Sequence, residues 1–143
     1  MTTHLSVLLF EPQSLLRQTV ALTLRSIGIG PVYQAASVQM AQRMVNDQPF
    51  GAVIVSLDGD EVSSSAAQAI ELINAIRSGN TPSEESLPVV VTTTACNRAV
   101  LENLSDLGVR KILIKPFKAR LLIDAMTEIA EVGVGVDRRI AVV

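Results

Sequence analysis

The stretch Lys111-Ile112-Leu113-Ile114-Lys115-Pro116-Phe117 decides the fold of this chain. Its first four residues are typical of a short strand, and Lys115 follows at the strand end, directly before a proline. A lysine in that place carries a compact positive charge with three donors, so it is positioned to meet an anion. The rest of the sequence therefore has to supply a sheet around this strand and an anion beside the lysine.

Short apolar runs alternate with helical patterns on the N-terminal side of that stretch. This alternation predicts repeated βα units, which close a parallel sheet with helices on both faces. The predicted strands cover residues 6–10, 32–35, 52–57, 89–93 and 111–114, and a helix is predicted after each one. Any functional site should then lie at the carboxyl ends of the strands, where such folds open a crevice.

Composition limits the classes of protein to which the chain can belong. Its 143 residues, 48% of them hydrophobic, suit one domain with a buried core. A charged fraction of 18% and a net charge of −2 argue against nucleic acid as a partner. No apolar stretch is long enough for a membrane span and the amino terminus lacks the pattern of a secretion signal, so we expect a cytoplasmic protein. The single Cys96 cannot form an intramolecular disulfide and gives no information about a metal site.

Polar side chains lie at or just after the ends of four of the five predicted strands. Glu11 follows the first strand, Ser56 lies near the end of the third, Thr93 ends the fourth and Lys115 follows the fifth. With these residues the chain resembles the receiver domains of response regulators, such as the chemotaxis regulators, over about residues 5 to 131. The resemblance is carried by three motifs: residues 88–93 (PVVVTT), Gly108 seven positions before Lys115, and Lys115-Pro116-Phe117.

The resemblance implies a flavodoxin-like fold, a five-stranded parallel sheet in the order 2-1-3-4-5. It also implies that an aspartate ending the third strand accepts a phosphoryl group beside a magnesium ion, with Thr93 and Lys115 contacting the phosphoryl oxygens. The chain departs from this pattern, because Phe10 and Glu11 stand at the acidic pair and Ser56 stands at the acceptor. Ile112 replaces the aromatic switch residue. We therefore expect a stand-alone atypical receiver that catalyses no reaction, binds no metal and acts without phosphorylation.

Asp58 supports an alternative. It lies just past the third strand, and a displaced alignment would make it the acceptor or a magnesium ligand of a working phosphorelay. Otherwise Asp58 is a residue of a solvated turn. Without phosphate, Lys115 needs another anion, so we expect an ion pair with Glu11, completed by hydrogen bonds from Ser56 and Thr93. The resemblance further implies a cis peptide bond before Pro116.

The expected function is binding to a signalling protein, either a histidine kinase or a downstream effector, with a homodimer as a further possibility. The predicted partner surface consists of Arg110, Lys111, Ile112 and Lys118. A nucleotide-binding enzyme is disfavoured because no glycine-rich phosphate loop follows the first strand. Residues 1–132 are predicted to form the domain, with a surface excursion at 78–86. Residues 133–143 are predicted to form a tail that either frays or pairs with a sheet edge or a second subunit.

Overall fold

One parallel sheet organises the fold of the computed structural model, which describes residues 5–58, 65–132 and 141–143. The strands are β1 Val7–Phe10, β2 Val32–Ala35, β3 Ala52–Ser56, β4 Val89–Thr93, β5 Lys111–Ile114 and β6 Ala141–Val142. Their spatial order is β2-β1-β3-β4-β5-β6. The predicted five parallel strands in the order 2-1-3-4-5 are confirmed. A sixth strand, β6, extends this sheet beside β5.

The two central strands explain why the sequence shows uninterrupted apolar runs. All five residues of β3 and all five residues of β4 are buried. Helices cover both faces of the sheet, so side chains on either side of these strands enter a core. Valine and isoleucine suit such positions because their branched side chains pack well on a pleated surface.

Five helices form the two outer layers: α1 Ser14–Ser26, α2 Val38–Asp47, α3 Ser65–Arg77, α4 Arg98–Asp106 and α5 Ala119–Val132. Helices α1 and α5 pack on one face of the sheet, while α2, α3 and α4 pack on the other. Helices α2 and α4 begin at side-chain caps. Ser37 Oγ accepts a hydrogen bond from Met40 N at 3.2 Å, and Asn97 Oδ1 accepts one from Val100 N at 2.9 Å. None of the helices that the structure describes is long and apolar enough to cross a membrane.

The polar segment 78–86 is tied to the domain at two points. Ser83 is buried, and its hydroxyl oxygen accepts a hydrogen bond from Phe50 N at 2.9 Å. Arg77 Nη1 donates to the carbonyl oxygens of Glu85 and Leu87, both at 2.7 Å. The predicted surface excursion is thus an anchored loop, because its backbone carbonyls satisfy a guanidinium at the end of α3.

The end of the chain pairs with the sheet. Strand β6 runs parallel to β5, with Lys111 opposite Ala141 and Ile112 opposite Val142. Of the two alternatives for the tail, residues 141–143 therefore follow the sheet-edge alternative. Residues 133–140 lie outside the described part of the chain, so the predicted domain boundary at residue 132 stays a prediction.

Candidate functional site

Strand register brings the predicted site residues together at one edge of the sheet. Ser56 of β3 lies opposite Thr92 of β4, and Thr93 lies opposite Ile114 of β5. Glu11 follows β1 and Lys115 follows β5, so both leave their strands at the same carboxyl edge. The Lys115-Pro116 peptide bond is cis, at the position where the resemblance implies one.

Lys115 and Glu11 form a buried ion pair. Lys115 Nζ lies 2.7 Å from Glu11 Oε1, and the two side chains are 12% and 5% exposed. The second carboxylate oxygen, Oε2, accepts a hydrogen bond from Gln13 N at 2.9 Å. Arg17 Nη1 donates to the Glu11 carbonyl oxygen at 2.9 Å and thereby holds the loop that presents the carboxylate. The pair that the sequence predicts from charge balance is thus present, with both carboxylate oxygens engaged.

Ser56 is fully buried between these groups. Its hydroxyl oxygen accepts a hydrogen bond from Lys115 Nζ at 3.1 Å and one from Asp58 N at 3.2 Å. Both neighbours are donors, so the lone pairs of this oxygen are already occupied. Ser56 therefore orients Lys115 and the turn after β3.

Asp58 completes the site. Its Oδ1 accepts hydrogen bonds from Thr93 Oγ1 at 3.0 Å, from Thr94 N at 3.0 Å and from Thr94 Oγ1 at 3.1 Å. Its Oδ2 lies 3.1 Å from Lys115 Nζ as an ion pair but makes no hydrogen bond of good geometry. The interpretation of Asp58 as a solvated turn residue is wrong, because one residue after the buried Leu57 the chain turns its carboxylate back into the site.

Two details of this arrangement differ from the expectation. Thr93 hydrogen-bonds to Asp58 and not to Lys115, and its single hydroxyl proton also has the Ala95 carbonyl oxygen within reach, at 2.9 Å. Thr94 was not predicted as a site residue at all. The only signal for it in the sequence is its position directly after Thr93, where a backbone N–H leaves the sheet edge.

Asp58 is held in its charged form by these donors. Partial burial raises the pKa of the Asp58 carboxyl, but the hydrogen bond from Thr94 N, the close contact with the Lys115 ammonium, the hydrogen bond from Thr93 and the charge of Lys115 together lower it below its ordinary value. The carboxylate is thus a stable anion at neutral pH, and the site contains two carboxylates around one ammonium.

The lowered pKa of Asp58 predicts that the free energy of unfolding depends on pH in the acid range. An unfolded aspartate has a pKa of ~3.9, and the folded carboxyl binds its proton more weakly than that. Asp58 therefore adds to the free energy of unfolding above about pH 4, and this contribution disappears as the pH falls through the folded pKa. Urea unfolding from pH 7 to pH 2 checks this. The stability advantage of the wild type over Asp58→Asn should shrink in the acid range, and a constant difference across the series would contradict it.

One of the four residues of the predicted partner surface is not on the surface of the structure. Ile112 is 0% exposed and packs in the core on the side of α3 and α4, so its inclusion in that surface was wrong. The reason is that side chains alternate along β5, and both faces of this strand are covered by helices. Lys111 Nζ is bound to Glu128 Oε2 at 2.9 Å, Arg110 is half-buried, and Lys118 is exposed.

The residues present do not fit the magnesium ion that the receiver resemblance implies. Phe10 is buried in the core and offers no oxygen ligand. The carboxylates of Glu11 and Asp58 flank Lys115 Nζ, and each of their four oxygens already faces an ammonium, an N–H or a hydroxyl. Magnesium needs near-octahedral oxygen ligands, and here an ammonium stands between the two carboxylates that could supply them.

Comparison with known proteins places this site in a fold. No protein-family model matches the chain, and no curated protein matches it in sequence. The solved structure of the chemotaxis protein CheY4 of Vibrio cholerae is 21% identical, with a TM-score of 0.74 over 87% of this chain and 98% of that chain. A CheY-like response regulator receiver domain protein of Methanospirillum hungatei is 12% identical, with a TM-score of 0.76 over 90% and 94%.

The receiver domain of a sensor histidine kinase from Pseudomonas aeruginosa is also similar. It is 20% identical, with a TM-score of 0.70 over 89% of this chain and 98% of that chain, and its structure holds a magnesium ion in the active-site cleft. The five parallel strands in the order 2-1-3-4-5 and the five helices of this chain match the fold of these structures. The chain therefore has the CheY-like receiver fold of response regulators.

Proposed function

We propose that the chain is a signalling module of the receiver type that binds a protein partner without being phosphorylated and catalyses no reaction of its own. The observation that carries this proposal is the position of the Asp58 carboxylate, which takes up the donors at the carboxyl edge of the sheet. The partner is a signalling protein, either a histidine kinase or a downstream effector.

The donors around Asp58 are the groups that would otherwise receive a phosphoryl group. By resemblance, Thr93 and Lys115 contact phosphoryl oxygens in receivers. In this chain the Thr93 hydroxyl and the Lys115 ammonium lie 3.0 Å and 3.1 Å from the two carboxylate oxygens of Asp58. A carboxylate supplied by the chain itself thus plays the part of the anion, and an incoming phosphoryl group would have to displace it.

Ser56, at the acceptor position, is a poor nucleophile in these surroundings. A serine hydroxyl needs an adjacent base to attack phosphorus, and its nearest basic side chain is Lys115. The Lys115 ammonium is ion-paired with two carboxylates, and an ammonium has no lone pair with which to accept the proton. The hydroxyl is also fully buried.

Asp58 itself is the acceptor in the second candidate function, a phospho-accepting receiver of a two-component relay. Two observations favour it: the Asp58 side chain is 27% exposed, and its Oδ2 makes no hydrogen bond. Attack by this oxygen on a phosphoryl donor would break no hydrogen bond, although the oxygen itself is buried. Against it stands the ion pair with Lys115, which would have to open to admit that donor.

Incubation with acetyl phosphate and magnesium separates the two candidates. We expect the intact mass of the wild type to stay unchanged, because the site is already filled and no base activates Ser56. A receiver with an aspartate at the acceptor position serves as the positive control for the reagents. A gain of one phosphoryl group by the wild type that is absent from Asp58→Asn would establish Asp58 as an acceptor and refute the proposal. The same gain in both proteins, lost in Ser56→Ala, would refute it in favour of Ser56.

A further inference from the structure

The outer edge of β5 is covered by a very short strand. Val143 N donates a hydrogen bond to the Ile112 carbonyl oxygen at 2.9 Å, and Ile114 N donates one to the Val143 carbonyl oxygen at 2.9 Å. Strand β6 itself has two residues, whereas strands in globular proteins usually have about five or six. Residues 141–143, the part of the tail that the structure describes, therefore satisfy backbone groups of the edge with few hydrogen bonds.

Two of the covering residues keep almost half of their surface exposed. Val142 is 46% exposed and Val143 is 43% exposed, which places both among the exposed large hydrophobic residues of the described chain. Their attachment thus combines partial burial with backbone hydrogen bonds, each of which contributes only about 0.5–1.5 kcal/mol net. A segment held in this way can be replaced by another extended segment that offers the same backbone groups.

Strand β5 itself lacks the features that usually prevent a sheet edge from pairing with another strand. Proteins commonly protect sheet edges with proline, with bulges or with free charged side chains. Residues Lys111–Ile114 contain no proline, Ile112 and Leu113 point into the two cores, and Lys111 is bound to Glu128. Without β6, the N–H of Ile114 and the carbonyl of Ile112 would be open to any extended chain.

We infer that the outer edge of β5 is a docking site for an extended apolar strand of a partner protein, running parallel to β5, and that residues 141–143 occupy this site in the isolated chain. Recognition would follow strand addition, in which main-chain hydrogen bonds supply affinity and alternate side chains supply selectivity. The resident sequence Ala141-Val142-Val143 defines the chemistry that fits: small and β-branched apolar residues without charge. This inference rests on the proposed function and names the surface at which the partner would bind. Its test involves no phosphate chemistry.

A proline at position 143 opens the edge in the full chain. Both the N–H and the carbonyl of Val143 bond to β5, so by strand alternation those of Val142 point away from it. Val143→Pro removes the donor to Ile112, whereas Val142→Pro removes an N–H that faces away and is the matched control. The probe is a fluorescein-labelled peptide with the sequence of residues 136–143, VDRRIAVV, followed by fluorescence anisotropy.

The labelled peptide is expected to bind Val143→Pro saturably, and to bind the wild type and Val142→Pro at least about tenfold more weakly. The reason is that a tethered tail competes at an effective concentration on the order of millimolar. A peptide N-methylated at the last residue lacks the donor to Ile112 and should not bind. Deletion of residues 141–143 provides a second open variant, provided that circular dichroism shows it folded.

Three outcomes overturn the inference. The first is a lack of peptide binding by both open variants while they keep the wild-type fold, and the second is equal binding of the N-methylated peptide. The third is a wild-type dimer in size-exclusion chromatography that Val143→Pro converts to monomer, because the tail would then cross between copies. A negative result in the peptide-binding experiment would not change the result of the acetyl phosphate experiment, so each proposal can be refuted independently of the other.

Discussion

Replacing Lys115 by methionine is expected to lower the free energy of unfolding by about 3–5 kcal/mol, the usual cost of breaking a buried ion pair by removing one partner. The ammonium lies between the Glu11 and Asp58 carboxylates, at 2.7 Å and 3.1 Å. Without it, a carboxylate whose side chain is 5% exposed faces a second one with no cation between them. Methionine keeps most of the unbranched side chain and removes the ammonium, so the loss reports mainly the charged group. Urea unfolding at pH 7 measures it.

Two further variants give this measurement its meaning. Lys118 is an exposed lysine three residues along, and Lys118→Met should change the stability by less than about 0.5 kcal/mol. The double variant Lys115→Met with Glu11→Gln should be more stable than Lys115→Met alone, because the amide at position 11 carries no charge. A loss below about 1 kcal/mol for Lys115→Met would mean that the pair behaves like a surface salt bridge, contrary to its burial.

Arg77 supports the second large prediction. Its Nε donates to the Leu107 carbonyl oxygen at 2.7 Å, its Nη1 to those of Glu85 and Leu87, and its Nη2 to that of Gly108 at 3.3 Å. One guanidinium thus joins the end of α3 to the 78–86 loop and to the turn before β5. Burial, and then the neighbouring Arg110, lowers the pKa of Arg77, so this side chain is held by carbonyl dipoles at some electrostatic cost.

Arg77→Leu is expected to lower the free energy of unfolding by roughly 3 kcal/mol, because several carbonyl oxygens lose a charged donor at once. Arg77→Lys keeps the charge but not the planar fork, and should recover less than half of that loss. The exposed Arg25 gives the matched control, since Arg25→Leu should have little effect. If Arg77→Lys proved as stable as the wild type, charge alone and not the fork would connect the three segments.

The apolar runs of the sequence predict most of the sheet, because a strand that is buried on both faces consists almost entirely of apolar residues. Strand β4 was predicted with the bounds it has, and β3 differs by one residue at Leu57. The pairing of β6 could only be offered as one of two alternatives, since three small apolar residues at a terminus suit fraying as well as pairing. What decides between them is the open edge of β5, which exists only once the sheet has formed.

The site was predictable as far as strand ends determine it. Glu11, Ser56 and Lys115 leave parallel strands at one edge, so their meeting follows from topology. Asp58 lies one residue further along a turn, where the direction of a side chain depends on the local backbone path and not on strand order. Ile112 was misjudged for a related reason, because in a four-residue strand the sequence does not show which residues an adjoining helix will cover.

Because Asp58 belongs to the chain itself and lies close after β3, it also affects how long the site stays occupied. An acyl phosphate forms and hydrolyses, so a phosphorylated site has a lifetime. A side-chain carboxylate held by Thr93, Thr94 and Lys115 is present whenever the sheet is folded and leaves its donors only by local opening or protonation. The occupied form of this site therefore does not decay, and its amount follows the amount of folded protein. On the proposed function, a cell would adjust such a signal through the synthesis and degradation of the chain.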